Sequence, residues 1–384
     1  MHSLLRIWLM TAALITSSAT AVLADSVTAS QEWKDLVAEG DAQAQFNLGL
    51  MYDLGRGVTL DYKVAVKWYR LAAEQGHGFA HYHLGTMYFS GRGVNKSYVN
   101  AQKHFRLAAK WNVTQAQYSL GEMFARGLGT TLDYVEAAKW FREAAEQGYA
   151  KAQYKLGFIH DSGLGVAPDY QEATNWYIKA AEQGHAKAQY NLGLRYAMGN
   201  SVAQNDGKAV RWYRKAAEQG LAKAQYNLGK MYNANRGVDR DYGKALKWYR
   251  KAAEQGFAKA QYNLGKMIKN GRGVAQDSKA AAKWYRKAAE QGHAKAQYNL
   301  GVRYAKGDGV FKNYIYAYMW LDVSASNGHV RAGKSRDILE ERMTVVEGAL
   351  EIPCHFFKLK KRNDTCEMIL ILIQLFLPCK MARS

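Results

Sequence analysis

Cysteine is almost absent from this chain. There are three in 384 residues, Cys354, Cys366 and Cys379, all close to the C-terminal end. The body of the chain therefore has no disulfide framework. An odd count allows one bridge and a spare thiol, or no bridge, and the spacing fits no zinc pattern, so no metal site is expected. Proline is equally rare, at three, so few helices are interrupted. The apolar runs Ile7–Ile15 and Met368–Leu377 fall short of the ~20 residues a membrane-spanning helix needs. Catalytic signatures are also missing. Ser-x-x-Lys, Ser-Asp-Asn, Lys-Thr-Gly, Gly-x-Ser-x-Gly and His-Glu-x-x-His do not occur. Nothing in the sequence calls for a cofactor, and no catalytic residue is nominated. Acids are outnumbered, with 33 Asp and Glu against 53 Lys and Arg and a formal charge of +20. Such an excess bears on partners and solubility rather than on fold.

Glycine is plentiful and regular. Leu-Gly recurs at Gly49, Gly85, Gly121, Gly157, Gly193, Gly229, Gly265 and Gly301, always 36 residues apart. Trp68, Trp140, Trp176, Trp212, Trp248, Trp284 and Trp320 share a second register, from which His104 departs. In the copy Gly220–Gln255, helical spacing of Ala224, Leu228, Met231 and Tyr232 marks a first helix from about Ala222 to Asn233. A glycine inside every first helix implies that another backbone passes close by. The turn at Asn235-Arg236-Gly237 suits positive φ. Asp241 and its counterparts Asp61, Ser97, Asp133, Asp169, Asn205, Asp277 and Asn313 are N-cap residues for the second helix. Glu136 and Glu172 add a capping-box pattern. Ala245, Trp248, Tyr249 and Ala252 line one face of that helix, and the Trp register is predicted to be the structural core. The fold is predicted to be all-α, a right-handed α/α solenoid of eight 36-residue helix-turn-helix repeats.

The stretch Ala-x-Ala-Gln-Tyr-Asn-Leu-Gly, the Gly-x-Gly-Val turn, the Asp-Tyr start and the Trp-Tyr-Arg-Lys-Ala-Ala-Glu-Gln-Gly close together resemble the Sel-one-like repeat family, relatives of the tetratricopeptide repeat. The resemblance covers about Gly40 to Met343. It implies a non-enzymatic protein–protein interaction scaffold of the bacterial envelope. One exported branch, linked to β-lactam hydrolysis, carries a cysteine pair in each repeat. This chain lacks those cysteines, so a β-lactamase-like enzyme is the remotest reading. Two departures from the repeat, His104 for Trp and Lys110-Trp111-Asn112 for Glu-Gln-Gly, suggest looser packing there.

Residues 1–24 read as a signal peptide cleaved after Ala24, which directs the chain to the periplasm or outside the cell. Residues 25–39 read as a capping helix around Trp33–Val37, 40–327 as the eight repeats, 328–343 as a C-terminal capping helix, and 344–384 as an atypical tail. Three groups of residues are candidates for contact. Asn191, Asn227, Asn263 and Asn299, with Lys230 and Lys266, recur on the first helices and suit a protein or extended peptide lying along the solenoid groove. Lys247, Arg250, Lys251, Lys283, Arg286 and Lys287 give the second helices a basic face opposite the Trp. That face offers an alternative function, binding an anionic envelope polymer or ligand. It is strongest where Gly220–Gln255 and Gly256–Gln291 each carry eight Lys and Arg, against three and two acids. His77, His81 and His83 read as surface histidines rather than ligands. Nucleic acid is not expected, because no recognised binding motif is present.

Overall fold

The computed structural model describes Val37 and residues 39–347, with side chains as far as Met343. The expected signal segment, the capping helix apart from Val37 and Glu39, and the tail beyond residue 347 with its cysteines lie outside these residues. Seventeen helices and no strand occur among the described residues. They form two compact units, one ending at Phe257 and one beginning at Ala258. The first holds α1 (Ala42–Leu54), α2 (Tyr62–Glu74), α3 (Gly78–Ser90), α4 (Tyr98–Lys110), α5 (Thr114–Arg126), α6 (Tyr134–Glu146), α7 (Ala150–Ser162), α8 (Tyr170–Glu182), α9 (Ala186–Met198), α10 (Asp206–Glu218), α11 (Ala222–Ala234) and α12 (Tyr242–Glu254). The second holds α13 (Ala258–Lys269), α14 (Ser278–Glu290), α15 (Ala294–Lys306), α16 (Tyr314–Ser326) and α17 (Val330–Glu347). Successive hairpins pack side by side within each unit, as a solenoid requires.

Local chemistry sets the helix ends. All eight expected caps accept a hydrogen bond from the first turn of the second helix, as Asn205 does from the Lys208 N–H (2.8 Å) and Asp133 from Glu136 (2.9 Å). The capping box does not close. The Asp133 N–H donates to the Phe124 carbonyl (2.9 Å), so it is not left for Glu136. Glu136 accepts from Lys139 (3.1 Å), and Glu172 from the Trp176 indole (2.7 Å). First helices end on left-handed residues, usually glycine. Asn235 takes that role after α11 at φ 58°.

The core differs from the expected one in its aromatic residue. Tyr69, Tyr177, Tyr213, Tyr249 and Tyr285 are buried, with Phe105, Phe141 and Leu321 in the same register. Among the described tryptophans only Trp176 and Trp320 are buried. Trp68, Trp140, Trp212, Trp248 and Trp284, one residue before the core ring, are half-buried. The helix turns by about 100° per residue, so that one-residue offset carries the indole to the edge of the seam. The first-helix glycine packs chiefly against this core ring. A Cβ on Gly193 would lie 2.7 Å from Tyr213 Cδ1, and one on Gly157 2.9 Å from Tyr177 Cδ1 with the Ala173 carbonyl at 3.1 Å. A ring, more than the expected backbone, excludes the side chain.

Polar seams join the repeats. The Gln189 amide on α9 donates to the Ala181 carbonyl at the end of α8 (3.1 Å), and its oxygen accepts from Gln219 at the end of α10 (2.8 Å). The same clasp appears at Gln153 with Ala145 and Gln183, and at Gln225 with Ala217 and Gln255. In the second unit Gln297 joins Ala289 and Asn327. The clasp adds a further hydrogen bond to a last-turn carbonyl that already accepts from the glycine N–H three residues on, as Ala181 does from Gly184 and Ala289 from Gly292, both at 3.0 Å.

The irregular copy compensates for its departures. His81 replaces the clasp glutamine, and its Nδ1 lies 3.2 Å from Nδ1 of His104. His104 also stacks on Tyr88, with ring centres 5.5 Å apart. Trp111 occupies the position of the clasp's second glutamine and lies over Gly76 and Gly78, where a Cβ on Gly78 would meet the Trp111 Cβ at 2.6 Å. Asn112 adopts φ 57° in place of the usual glycine. In the second unit α17 buries Leu339 and Met343 against Ala317 and Leu321, and it runs past residue 343 to Glu347.

Candidate functional site

Within each unit the first helices share one solvent-facing side. On α11 it comprises Lys223, Tyr226, Asn227 and Lys230, at i, i+3, i+4 and i+7. Lys223 and Lys230 are exposed, and the Lys230 ammonium lies 5.9 Å from the Tyr226 ring centre. The asparagines are not free ligands. Asn191, Asn227, Asn263 and Asn299 are all half-buried. The Asn191 amide lies against the Tyr177 hydroxyl of the preceding repeat, and Asn227 against those of Tyr190 and Tyr213. In the second unit Asn299 faces Tyr262 and Tyr285. Burial pushes Tyr285 up to about 12, and Arg303 and Asn299 oppose that rise. These asparagines thus sit in the seams between repeats. The exposed recurring positive charge lies elsewhere, at Lys151, Lys187 and Lys223 in the first unit and at Lys259 and Lys295 in the second, with Lys266 also exposed. Sequence reasoning passed over that register, although the 36-residue recurrence was visible.

The histidines at helix starts are likewise structural. His77 and His185 accept from the N–H groups of Ala80 (3.1 Å) and Ala188 (3.3 Å), and their rings stack on Phe46 and Tyr154 at 4.7 and 4.6 Å. The surface role expected of His77, His81 and His83 is corrected, because all three rings are half-buried. Burial, then the charges of Lys187, Lys151 and Lys155, pulls His185 down to about 4.

Three of the six second-helix cations make contacts within the protein. The Lys251 ammonium stands 5.0 Å from the Trp248 ring centre, and Lys287 stands 4.6 Å from that of Trp284. They therefore lie over the Trp register, not opposite it. Arg286 donates to the Tyr304 hydroxyl of the next repeat (2.6 Å). All six, Lys247, Arg250 and Lys283 included, are exposed.

Three charged groups were missed because their residue types rarely enter a core. Asp53 is buried. Burial alone would raise its pKa, but His83, Arg92 and Tyr69 together hold it below the ordinary carboxylate value. Arg195 and Arg303 occupy a first-helix position that holds Met or Ile in the other copies, and both are buried. Arg303 binds the Ser278 and Asp308 carbonyls at 3.3 and 3.0 Å. Among the described residues no group of three or more His, Cys, Asp and Glu could hold a metal ion, and no helix is long and apolar enough to cross a membrane.

Hairpins stacked in register, joined by polar seams and presenting repeated side chains on one side, define an α/α-repeat protein. Eight segments, residues 42–77, 78–110, 114–149, 150–185, 186–221, 222–257, 258–293 and 294–329, match the Sel1 repeat, and the chain belongs to the Sel1 repeat family. Sel1 repeat proteins are generally non-enzymatic scaffolds for protein interaction. Among solved structures, the chain is similar to a protective antigen of uropathogenic Escherichia coli with an SLR fold, at 34% identity and a TM-score of 0.60, covering 92% of this chain and 83% of that one. It is also similar to a Sel1 repeat protein from Oxalobacter formigenes, at 32% identity and a TM-score of 0.61, covering 87% and 93%. No curated protein matches.

Proposed function

We propose that this chain is a non-enzymatic interaction scaffold that receives an extended acidic protein segment along its first-helix side. The carrying observation is the recurrence of exposed Lys151, Lys187 and Lys223 beside the half-buried rings of Tyr154, Tyr190 and Tyr226 in consecutive repeats. Ammonium groups attract carboxylates, and the tyrosines supply amphipathic contact area at little entropic cost. The asparagine register supports the surface from the seams, as Asn227 does at the Tyr190 hydroxyl, rather than by meeting the ligand. The test is capture from envelope extract by the triple variant Lys151→Glu, Lys187→Glu, Lys223→Glu, beside Lys208→Glu, Arg211→Glu, Lys247→Glu on the second helices. Loss with the first set alone supports this reading. Loss with the second set alone favours the alternative, an anionic polymer held on the second-helix side.

The location that goes with this function is the periplasm or the exterior, reached after cleavage behind Ala24. Intact mass of the exported protein should correspond to a chain starting at Asp25.

A further inference from the structure

The fifth repeat departs from its neighbours at two positions that meet in space. The first is Arg195, which stands where Met87, Met123, Ile159 and Met231 fill the core. Its side chain is more than nine-tenths buried and forms an ion pair with Asp161 of the preceding repeat. The guanidinium carbon lies 5.7 and 5.9 Å from the ring centres of Tyr170 and Tyr177, and the Tyr177 hydroxyl donates to the second Asp161 oxygen at 3.3 Å. Among the described residues Asp161 is the hydrogen-bond acceptor that this guanidinium meets.

The second departure is Ser201. Other copies carry glycine here because the turn touches the start of the preceding second helix. A Cβ on Gly129 would lie 2.7 Å from the Tyr98 backbone, and one on Gly165 2.7 Å from the Val135 nitrogen. Ser201 keeps the left-handed conformation, at φ 57°, yet carries a side chain. Between it and Tyr170 lies a cleft of about 600 Å³, and Arg195, Asp161 and Asn191 contribute to its lining. That volume falls in the range of small-ligand sites.

We propose that this cleft binds one sugar unit of a neutral saccharide. The lining has no net charge, since Arg195 and Asp161 cancel. An anion would meet the Asp161 carboxylate beside the only cation, and a cation would meet Arg195. A polyol suits such a wall, because each hydroxyl both donates and accepts. Arg195 donates, Asp161 accepts, and Asn200 and Ser201, also in the lining, do both. The Tyr170 ring, 55% exposed at the wall, is an apolar platform for the C–H face of a pyranose. Leu194 and the exposed Met198 extend that platform. The ion pair holds the guanidinium in place before any ligand arrives, which lowers the ordering cost of binding. This site is independent of the acidic-segment surface.

The test uses the full chain and saturation-transfer NMR with neutral glucose, mannose and N-acetylglucosamine oligosaccharides, followed by calorimetry on the best binder. Arg195→Met and Ser201→Gly each restore the residue that sister repeats carry, so both variants should retain native circular dichroism. Each should weaken binding at least tenfold, while Arg303→Met, at the corresponding buried arginine of the eighth repeat, should leave it unchanged. If Arg195→Met fails to fold, Ser201→Gly decides alone. The proposal is overturned if no neutral oligosaccharide binds, or if binding survives the folded variants. It is equally overturned if a tetraglutamate peptide, and not a sugar, binds in an Arg195-dependent way.

Discussion

The Tyr249 ring occupies the space that a side chain on Gly229 would need, with its Cδ1 2.9 Å from the position of a Cβ there. Helix propensity favours Ala over Gly by about 1 kcal/mol. The contact opposes that gain, because the ring is buried and cannot swing aside. Gly229→Ala is therefore expected to destabilise by about 1–3 kcal/mol, as overpacked cores do. Guanidinium denaturation checks the sign. A gain in stability would mean that the ring moves freely.

Tyr249 and Trp248 should separate clearly by truncation. Tyr249→Ala removes a buried ring and is expected to cost about 3–5 kcal/mol. Trp248→Ala removes a half-buried indole and its contact with Lys251, for about 1–2 kcal/mol. Chemical unfolding of both variants measures the order. Equal losses would place the indole deeper in the seam than its exposure indicates.

Gln189→Ala cuts a clasp at its centre. It removes one hydrogen bond at the Ala181 carbonyl, which keeps the Gly184 N–H (3.0 Å), and one at the Gln219 amide, which keeps the Gly184 carbonyl (2.8 Å). A loss of about 1–3 kcal/mol is expected, from two hydrogen bonds of about 0.5–1.5 kcal/mol each. Hydrogen exchange should then rise at the α8–α9 junction more than at α1. Uniform exchange along the first unit would argue against a local seam.

Acid should weaken the fold through its half-buried histidines. Burial, then the positive charges of Lys187, Lys151 and Lys155, lowers His185 to about 4. Burial, then His81, Lys103 and Arg70, lowers His104 to about 4. The unfolded chain binds these protons near the ordinary 6.5, so it holds more of them than the fold does between the two values. The stability from keeping both rings neutral is thus complete above about pH 6.5 and is lost as the pH falls toward 4. The variant His104→Trp, His185→Leu should show a shallower fall in denaturation midpoint over that window. An unchanged pH slope would show that neither ring titrates with folding.

The repeat period, the all-helical class, the helix boundaries and the eight N-caps were legible in the sequence alone. Each depends on residues close together along the chain. Asn205 caps α10 because its own next turn is within reach, and Asn235 ends α11 by its own φ. What lay across the chain was not legible. Trp248 and Tyr249 are adjacent and equally aromatic, and only the angle at which α12 meets α11 decides which ring is buried. The pairing of Gln189 with Gln219, the contact of His81 with His104, and the cleft between Ser201 and Tyr170 all join residues from different helices. The asparagine register was read correctly as recurrent, but its partners, the tyrosine hydroxyls of the preceding repeat, emerged only once the repeats were stacked. Hydrogen-bonding and torsional preferences within a turn are local, so sequence determined the hairpins. The close packing between hairpins depends on interhelical distance and angle, so tertiary structure decided which side chains became core, seam or surface.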